Sequence, residues 1–215
     1  ATGVVTVELE DLVVRGTGNH GIHISDCVLE GGDSDSCGDG NTGEGEGSAA
    51  SIVVRASGVL IEESGFGTQD ADGLRVDERG PGDVTLFVTN STFMRVGADG
   101  IELDEGGPGD VIIDVRNTGF IENGEYCLIG EFIEGDDCDD DGDPDVDDGF
   151  DIDEAGDGSL RGRLANVQVI LNYDEGLDFD EAGMGDTDLE FVNITGIDNE
   201  DESIKVSEED PGDNI

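Results

Sequence analysis

DGLRVDERGPGD at 72–83 is the first of five copies of one short stretch, followed by DGIELDEGGPGD at 99–110, DGFDIDEAGDGS at 148–159, EGLDFDEAGMGD at 175–186 and ESIKVSEEDPGD at 202–213. Most copies hold an acidic turn, an apolar-x-apolar pair, an acidic pair and a glycine-rich turn. The glycines that close the turns are 27, 49, 27 and 27 residues apart, at Gly82, Gly109, Gly158, Gly185 and Gly212. A 27-residue repeat with one insertion accounts for this spacing.

The repeat extends backwards if HGIHIS at 20–25 is a weaker copy of the same stretch. This extension predicts six coils, the first beginning at Gly3 and the second at Ser48. Residues beyond the 27-residue unit then form insertions near 26–47, 63–70 and 124–147. We therefore expect residues 1–215 to form a single domain.

Apolar residues alternate with polar ones at the start of each coil, as at Val84, Leu86 and Val88. Such alternation predicts a strand with one face turned inward. Asparagine recurs nine positions into four coils, and Asp11 and Ala56 hold that position in the first two; a shorter column contains Asn123, Asn172 and Asn199. A stacked amide can donate to one neighbour and accept from the other, so both columns predict hydrogen-bonded ladders.

Coils of this length, with short strands, an asparagine ladder and a DG-apolar-x-apolar step, resemble the right-handed parallel β-helix of the pectate-lyase-like superfold. The resemblance covers nearly all of the chain outside the insertions. It implies an all-β, right-handed, single-stranded parallel β-helix of about six coils, but it does not imply one function, because this superfold includes lyases, hydrolases, tailspikes, adhesins and inert fibres. A β-roll of nonapeptide calcium repeats fits less well, because the GGxGxD step is missing.

The net charge of −47 excludes nucleic acid and anionic membranes as natural partners unless cations bridge them. No apolar run is long enough to span a bilayer, so no membrane insertion is expected. The acidic residues are concentrated in columns, in which residues at equivalent positions of successive coils lie above one another. Two like charges in neighbouring coils, about 4.8 Å apart, repel by roughly 3.5 kcal/mol at an effective dielectric constant near 20.

Divalent cations would offset this repulsion. Calcium takes six to eight oxygen ligands in irregular geometry, which carboxylates and glycine-exposed carbonyls can provide. We therefore predict calcium ions held between coils by Asp77, Glu78, Asp83, Asp104, Glu105, Asp110, Asp153, Glu154, Asp180, Glu181 and Asp186. The alternative is halophilic surface chemistry, in which salt screening replaces specific ions.

The third insertion carries a separate calcium signal, DCDDDGDPDVDD at 137–148. Its spacing resembles that of an EF-hand calcium loop and implies ligands at Asp137, Asp139, Asp141, Asp143, Asp145 and Asp148. Asp148 stands where that family usually has a bidentate glutamate. The alternative is an acidic loop without an ion.

Four cysteines lie in two of the insertions. Local pairing predicts the disulfides Cys27–Cys37 and Cys127–Cys138, which would place the protein outside the cell or at its surface. A metal site formed by all four thiolates is the alternative, although the spacings exceed those of zinc knuckles.

The basic residues do not predict a catalytic cluster. Arg75 and Lys205 share a column with His23, Glu102, Asp151 and Asp178 but lie several coils apart, and Arg161 and Arg163 are expected to pair with Asp188 and Glu190. We therefore expect a secreted, calcium-binding structural protein and no enzyme. Strand register at both ends, without a capping helix, predicts head-to-tail self-assembly into a filament or surface layer. The alternative function is a polysaccharide lyase, hydrolase or carbohydrate-binding β-helix.

Overall fold

The computed structural model describes residues 2–26, 47–67, 71–125, 147–208 and 213–214. Within these residues the chain forms β-strands and no helix. The strands are β1 (Thr2–Glu10), β2 (Val13–Arg15), β3 (Ile22–Ser25), β4 (Ala49–Ser57), β5 (Leu60–Glu62), β6 (Leu74–Glu78), β7 (Val84–Thr89), β8 (Thr92–Met94), β9 (Ile101–Glu105), β10 (Val111–Arg116), β11 (Gly119–Ile121), β12 (Phe150–Glu154), β13 (Leu160–Ala165), β14 (Gln168–Ile170), β15 (Asp178–Glu181), β16 (Asp186–Val192), β17 (Thr195–Ile197), β18 (Lys205–Glu208) and β19 (Asp213–Asn214).

The strands form three parallel sheets in which every third strand is a neighbour. The first sheet has the order β1-β4-β7-β10-β13-β16-β19, the second β2-β5-β8-β11-β14-β17 and the third β3-β6-β9-β12-β15-β18. Each coil takes one strand from each sheet, so coil 1 contains β1 to β3 and coil 6 contains β16 to β18. This arrangement confirms the predicted parallel β-helix of about six coils.

The alternation of residue types places one side of most strands in a continuous core. Val84, Leu86 and Val88 are fully buried, as predicted. Phenylalanines from successive coils stack along the interior, with ring centroids 5.5 Å apart between Phe93 and Phe120. Apolar columns therefore fill the solenoid without tryptophan.

Both predicted asparagine ladders form, but in different surroundings. In the first, Asn117 donates to Asn90 at 3.3 Å at the protein surface. In the second, Asn123 and Asn172 are buried, and the Asn123 amide donates to Asn172 at 3.1 Å. Only the second ladder therefore satisfies polar groups inside the core.

The register of coil 2 differs from the prediction by two residues. Ser57 pairs with Thr89, so Gly58, and not Ala56, occupies the position of Asn90 in the ladder. Asn90 has a φ of 50° and Gly58 a φ of 66°. Glycine and asparagine tolerate this left-handed conformation, whereas alanine does so poorly. Coil 2 consequently begins at Ala50 and not at Ser48, because Ala50 pairs with Gly3.

Several predicted features lie outside the described residues. They are the four cysteines and the loop aspartates Asp137, Asp139, Asp141, Asp143 and Asp145. No helix in the described part of the chain is long and apolar enough to cross a membrane.

Candidate metal centre

The acidic column at the glycine-rich turns, which contains Asp83 and Asp110, accepts hydrogen bonds from backbone amides of the next coil. The amide of Asp110 donates to the Asp83 carboxylate at 3.1 Å, and the amide of Ser159 donates to the Asp110 carboxylate at 3.0 Å. Asp110 also contacts Arg161 at 2.6 Å, and Ser159 occupies the column position before Asp186. These contacts give the carboxylates of Asp83 and Asp110 partners within the chain.

The glutamate column points into the solenoid. Oε1 of Glu105 accepts hydrogen bonds from the amides of Gly107 at 3.0 Å and Gly109 at 3.3 Å. Its Oε2 is buried without a hydrogen-bond partner, and one carboxyl oxygen is in the same situation in Glu78, Glu154, Glu181 and Glu208. Burial, together with contacts to neighbouring glutamates, raises the pKa of Glu105 to about 10. The interior therefore favours the neutral carboxyl group at this position.

The aspartates of the acidic pairs lie on the outer face of the third sheet, because adjacent residues of a strand point in opposite directions. Two outward columns run along this face. The first contains His23, Arg75, Glu102, Asp151, Asp178 and Lys205, and the second contains Ser25, Asp77, Asp104, Asp153, Asp180 and Ser207.

A third column precedes the strands at the acidic turns. The amide of Asp148 donates to the Asp99 carboxylate at 2.6 Å, and the amide of Glu175 donates to the Asp148 carboxylate at 2.7 Å. Asp72 begins this carboxylate series by accepting from the amide of Asp99 at 3.2 Å. One oxygen of each of these aspartates is thus fixed by the following coil, and the side chain is held beside the outward columns.

Arginine offsets part of the negative charge of the outward columns in coils 2 and 3, where Asp72, Asp99 and Glu102 also place carboxylate oxygens within 4.8 Å of one another. The Arg75 guanidinium contacts Asp72 at 3.4 Å, Asp77 at 3.0 Å, Glu102 at 2.5 Å and Asp104 at 2.6 Å. Burial opposes the ionisation of Asp77, but hydrogen bonding to His23 and the charge of Arg75 outweigh it and lower its pKa. Asp77 is therefore held as a carboxylate by protein groups alone.

Coils 4 and 5 place aspartates around a cavity of about 380 Å³ at the equivalent position. We call this cavity the acidic trough and define it by Asp148, Asp151, Asp153, Asp178 and Asp180. Carboxylate oxygens of Asp148, Asp151 and Asp178 lie within 4.8 Å of one another. Lys205 forms an ion pair with a trough residue, at 2.6 Å from Asp178.

The surroundings of the trough carboxylates raise their pKa values and so disfavour the charged form. Burial, followed by the charges of Glu175 and Asp178, raises the pKa of Asp148 to about 10. Burial and the charges of Asp180 and Asp178 raise the pKa of Asp153 to about 6, and burial with neighbouring carboxylates raises that of Asp151 well above its usual range. Protons or cations at these carboxylates would therefore stabilise the folded chain at neutral pH.

Two trough oxygens are shielded from water and available to a ligand. Asp178 is 8% exposed, and its Oδ1 atom is buried without a hydrogen-bond partner, while Oδ2 contacts Lys205. Oδ1 of Asp180 is also buried without a partner. An unsatisfied buried carboxylate oxygen is costly, and a metal ion would satisfy it.

The predicted ligands are distributed over four environments. Asp153, Asp180 and Asp148 lie in the trough, whereas Asp77 and Asp104 contact arginine. Glu78, Glu105, Glu154 and Glu181 accept hydrogen bonds from glycine amides at the turns, and Asp83, Asp110 and Asp186 lie in the turn column.

Asp151 and Asp178 were not predicted as ligands. Their signal is the Asp-apolar-Asp spacing in DID at 151–153 and DFD at 178–180. Residues two apart in a strand share a face, so this spacing predicts two outward carboxylates per coil.

Each of the nine basic residues lies in the described part of the chain and contacts a carboxylate. Arg163 pairs with Glu190 at 2.7 Å, as predicted, whereas Arg161 pairs with Asp110 of the preceding coil and not with Asp188. The others are Arg15, Arg55, Arg75, Arg79, Arg95, Arg116 and Lys205. Most of the 56 acidic residues therefore have no protein cation to balance them.

Comparisons with protein-family models, curated proteins and solved structures found no match to this chain. The functional argument consequently rests on the trough itself, which is a buried acidic cluster able to hold a metal ion.

Proposed function

We propose that this protein is a calcium-binding β-helix with a structural role, and that the bound ion in the acidic trough is part of its fold. The observation that carries the proposal is the triad of Asp148, Asp151 and Asp178, whose oxygens lie within 4.8 Å of one another. Metal–oxygen distances of about 2.3–2.6 Å allow ligands on opposite sides of a calcium ion to be about 5 Å apart.

A structural role agrees with the way the chain uses its basic residues. A lyase of the resembled superfold needs an arginine or lysine base beside the substrate. Here every arginine and the single lysine contact carboxylates, and Arg75 and Arg79 are buried. We place the protein outside the cell, on the basis of the two predicted disulfides.

Calcium titration by calorimetry tests the proposal. We expect the wild-type chain to bind calcium, and Asp178→Asn to lower the affinity at least tenfold, because it removes a charged ligand that is 8% exposed. Glu10→Gln is the matched control, because it removes one acidic charge at an exposed position of β1. Equal affinities of Asp178→Asn and the wild type would contradict the assignment of the trough.

Head-to-tail assembly is the second part of the proposal. Val5 is 41% exposed in coil 1, in the column of the buried Ile52, while Ile204 is 36% and Val206 is 38% exposed in coil 6. These residues continue the columns of the solenoid, so contact between the two faces would bury apolar surface. We expect light scattering with calcium present to detect oligomers that Val5→Lys reduces to monomers. A monomeric wild-type chain at all concentrations would exclude such assembly.

A further inference from the structure

The arginine cluster and the acidic trough are the same arrangement, two coils apart. Strand register places Asp151 of coil 4 in the column of Arg75 of coil 2, and Asp153 in the column of Asp77. One coil further along in each case, Asp178 corresponds to Glu102 and Asp180 to Asp104. Asp148 likewise corresponds to Asp72 in the turn column. Four carboxylates therefore recur as carboxylates, whereas the central Arg75 is replaced by Asp151 and the neighbouring Arg79 by Ala155.

The central arginine shows where positive charge lies in this arrangement. The Arg75 side chain is 9% exposed, and its guanidinium nitrogens lie 2.5–3.4 Å from the four carboxylates of coils 2 and 3. Parallel pairing in register repeats the backbone from coil to coil, so the four equivalent carboxylates of coils 4 and 5 surround an equivalent point. In the trough Asp151 adds a fifth carboxylate to this set where coil 2 supplies a cation.

We infer that the trough binds its cation at the point equivalent to the Arg75 guanidinium, with Asp148, Asp151, Asp153, Asp178 and Asp180 around it, and that Arg75 is a covalent substitute for a bound calcium ion. The inference rests on the proposed function and extends it. Coils 2 and 3 carry their own counter-ion, whereas coils 4 and 5 take theirs from solution. Calcium therefore controls the order of one segment of the solenoid and not of the whole.

Two other groups confine the bound ion to coils 4 and 5. Arg79 contacts Asp104 at 2.9 Å and extends the arginine cluster towards coil 4. Lys205 contacts Asp178 at 2.6 Å and Glu175 at 3.2 Å from coil 6. The outer face of the third sheet thus has fixed positive charge on both sides of the trough. A dication between them completes a continuous series of counter-ions along the columns.

Hydrogen exchange of the full wild-type chain tests the segmental effect. With a chelator at constant ionic strength, we expect amides of β12 and β15 to lose at least tenfold protection relative to calcium-bound protein. Amides of β6 and β9 should change less than threefold. Uniform loss of protection across all four strands would overturn the inference even if calcium binding were measured. Absence of calcium binding to the wild type would instead overturn the proposed function.

Asp151→Arg tests the equivalence directly, because it places an arginine in the trough at the position of Arg75. We expect this variant to bind at least one calcium ion fewer than the wild type. In chelator, the amides of its β12 and β15 should be as well protected from hydrogen exchange as those of the calcium-bound wild type. Glu10→Arg is the control for the same change in charge at an exposed site of β1. Undiminished calcium binding by Asp151→Arg, or loss of protection with and without calcium, would overturn the equivalence.

Discussion

Gly156→Ala is expected to abolish folding of the solenoid. A Cβ atom at this position would lie 1.4 Å from the carbonyl oxygen of Gly107 in the preceding coil. Gly183 has the same relation to Gly156, at 1.3 Å, so the glycine-rich turns stack backbone on backbone. Neither backbone can move away without breaking the parallel pairing on both sides. We expect a loss of more than about 4 kcal/mol, visible as the absence of a cooperative thermal transition by circular dichroism.

Gly119→Ala is the matched control for this change. Gly119 lies in β11, and the nearest atom to an added Cβ is Ile121 Cδ1 at 3.4 Å, an ordinary contact. The substitution should leave stability unchanged or raise it by up to about 1 kcal/mol, because alanine restricts the unfolded chain. A folded Gly156→Ala with the melting temperature of Gly119→Ala would refute the stacked-turn explanation.

Removal of calcium at constant ionic strength is expected to lower the melting temperature by roughly 10 °C. A ligand at 1,000 times its dissociation constant stabilises the folded state by about 4 kcal/mol. For chains of 150–250 residues, each kcal/mol corresponds to about 2–4 °C. Differential scanning calorimetry with calcium, and with chelator plus balancing sodium chloride, measures the difference. Equal melting temperatures in the two buffers would favour salt screening over a specific ion.

The pH dependence of the chelated protein provides an independent measure of the same repulsion. Burial and neighbouring carboxylates raise the pKa of Asp153 to about 6 and those of Asp148 and Glu105 to about 10. Such groups keep their protons in the folded state at a pH where the unfolded chain, with pKa values near 4, releases them. Their stabilisation is complete below the unfolded pKa and is lost as the pH rises towards the folded value. We therefore expect the chelated chain to melt at a higher temperature at pH 5 than at pH 8, and calcium to reduce this difference.

The repeat predicted the fold because its period fixes which residues stack. Residues 27 apart, such as Val84 and Val111, pair in adjacent strands, so the core columns and both asparagine ladders followed from the sequence. The register of coil 2 failed where an insertion interrupts the period. Gly58 indicates the correct register of coil 2, because the ladder position requires a positive φ.

The site was less predictable because stacking alone does not identify the face of a residue. The Asp-Glu pair recurs in four of the five copies, yet the Asp153 side chain faces outward in the trough, whereas the Glu154 side chain points into the solenoid and accepts a hydrogen bond from the amide of Gly156. The residues that line the trough with Asp153 are Asp151, two residues earlier in the same strand, and Asp178 and Asp180, one coil further along. To predict these partners from the sequence, one must use the fact that residues two apart in a strand share a face. One must also notice that Asp151 stands in the same column as Arg75.

The two amide ladders run in opposite directions. Along the surface ladder each side chain donates to the coil before it, as Asn166 does to Asn117, whereas along the buried ladder each donates to the coil after it, as Asn172 does to Asn199. Aligned amides in one chain polarise one another, and their dipoles add along the axis. The opposed orientation offsets part of this axial polarity, so each coil added to both ladders contributes little net side-chain dipole along the solenoid.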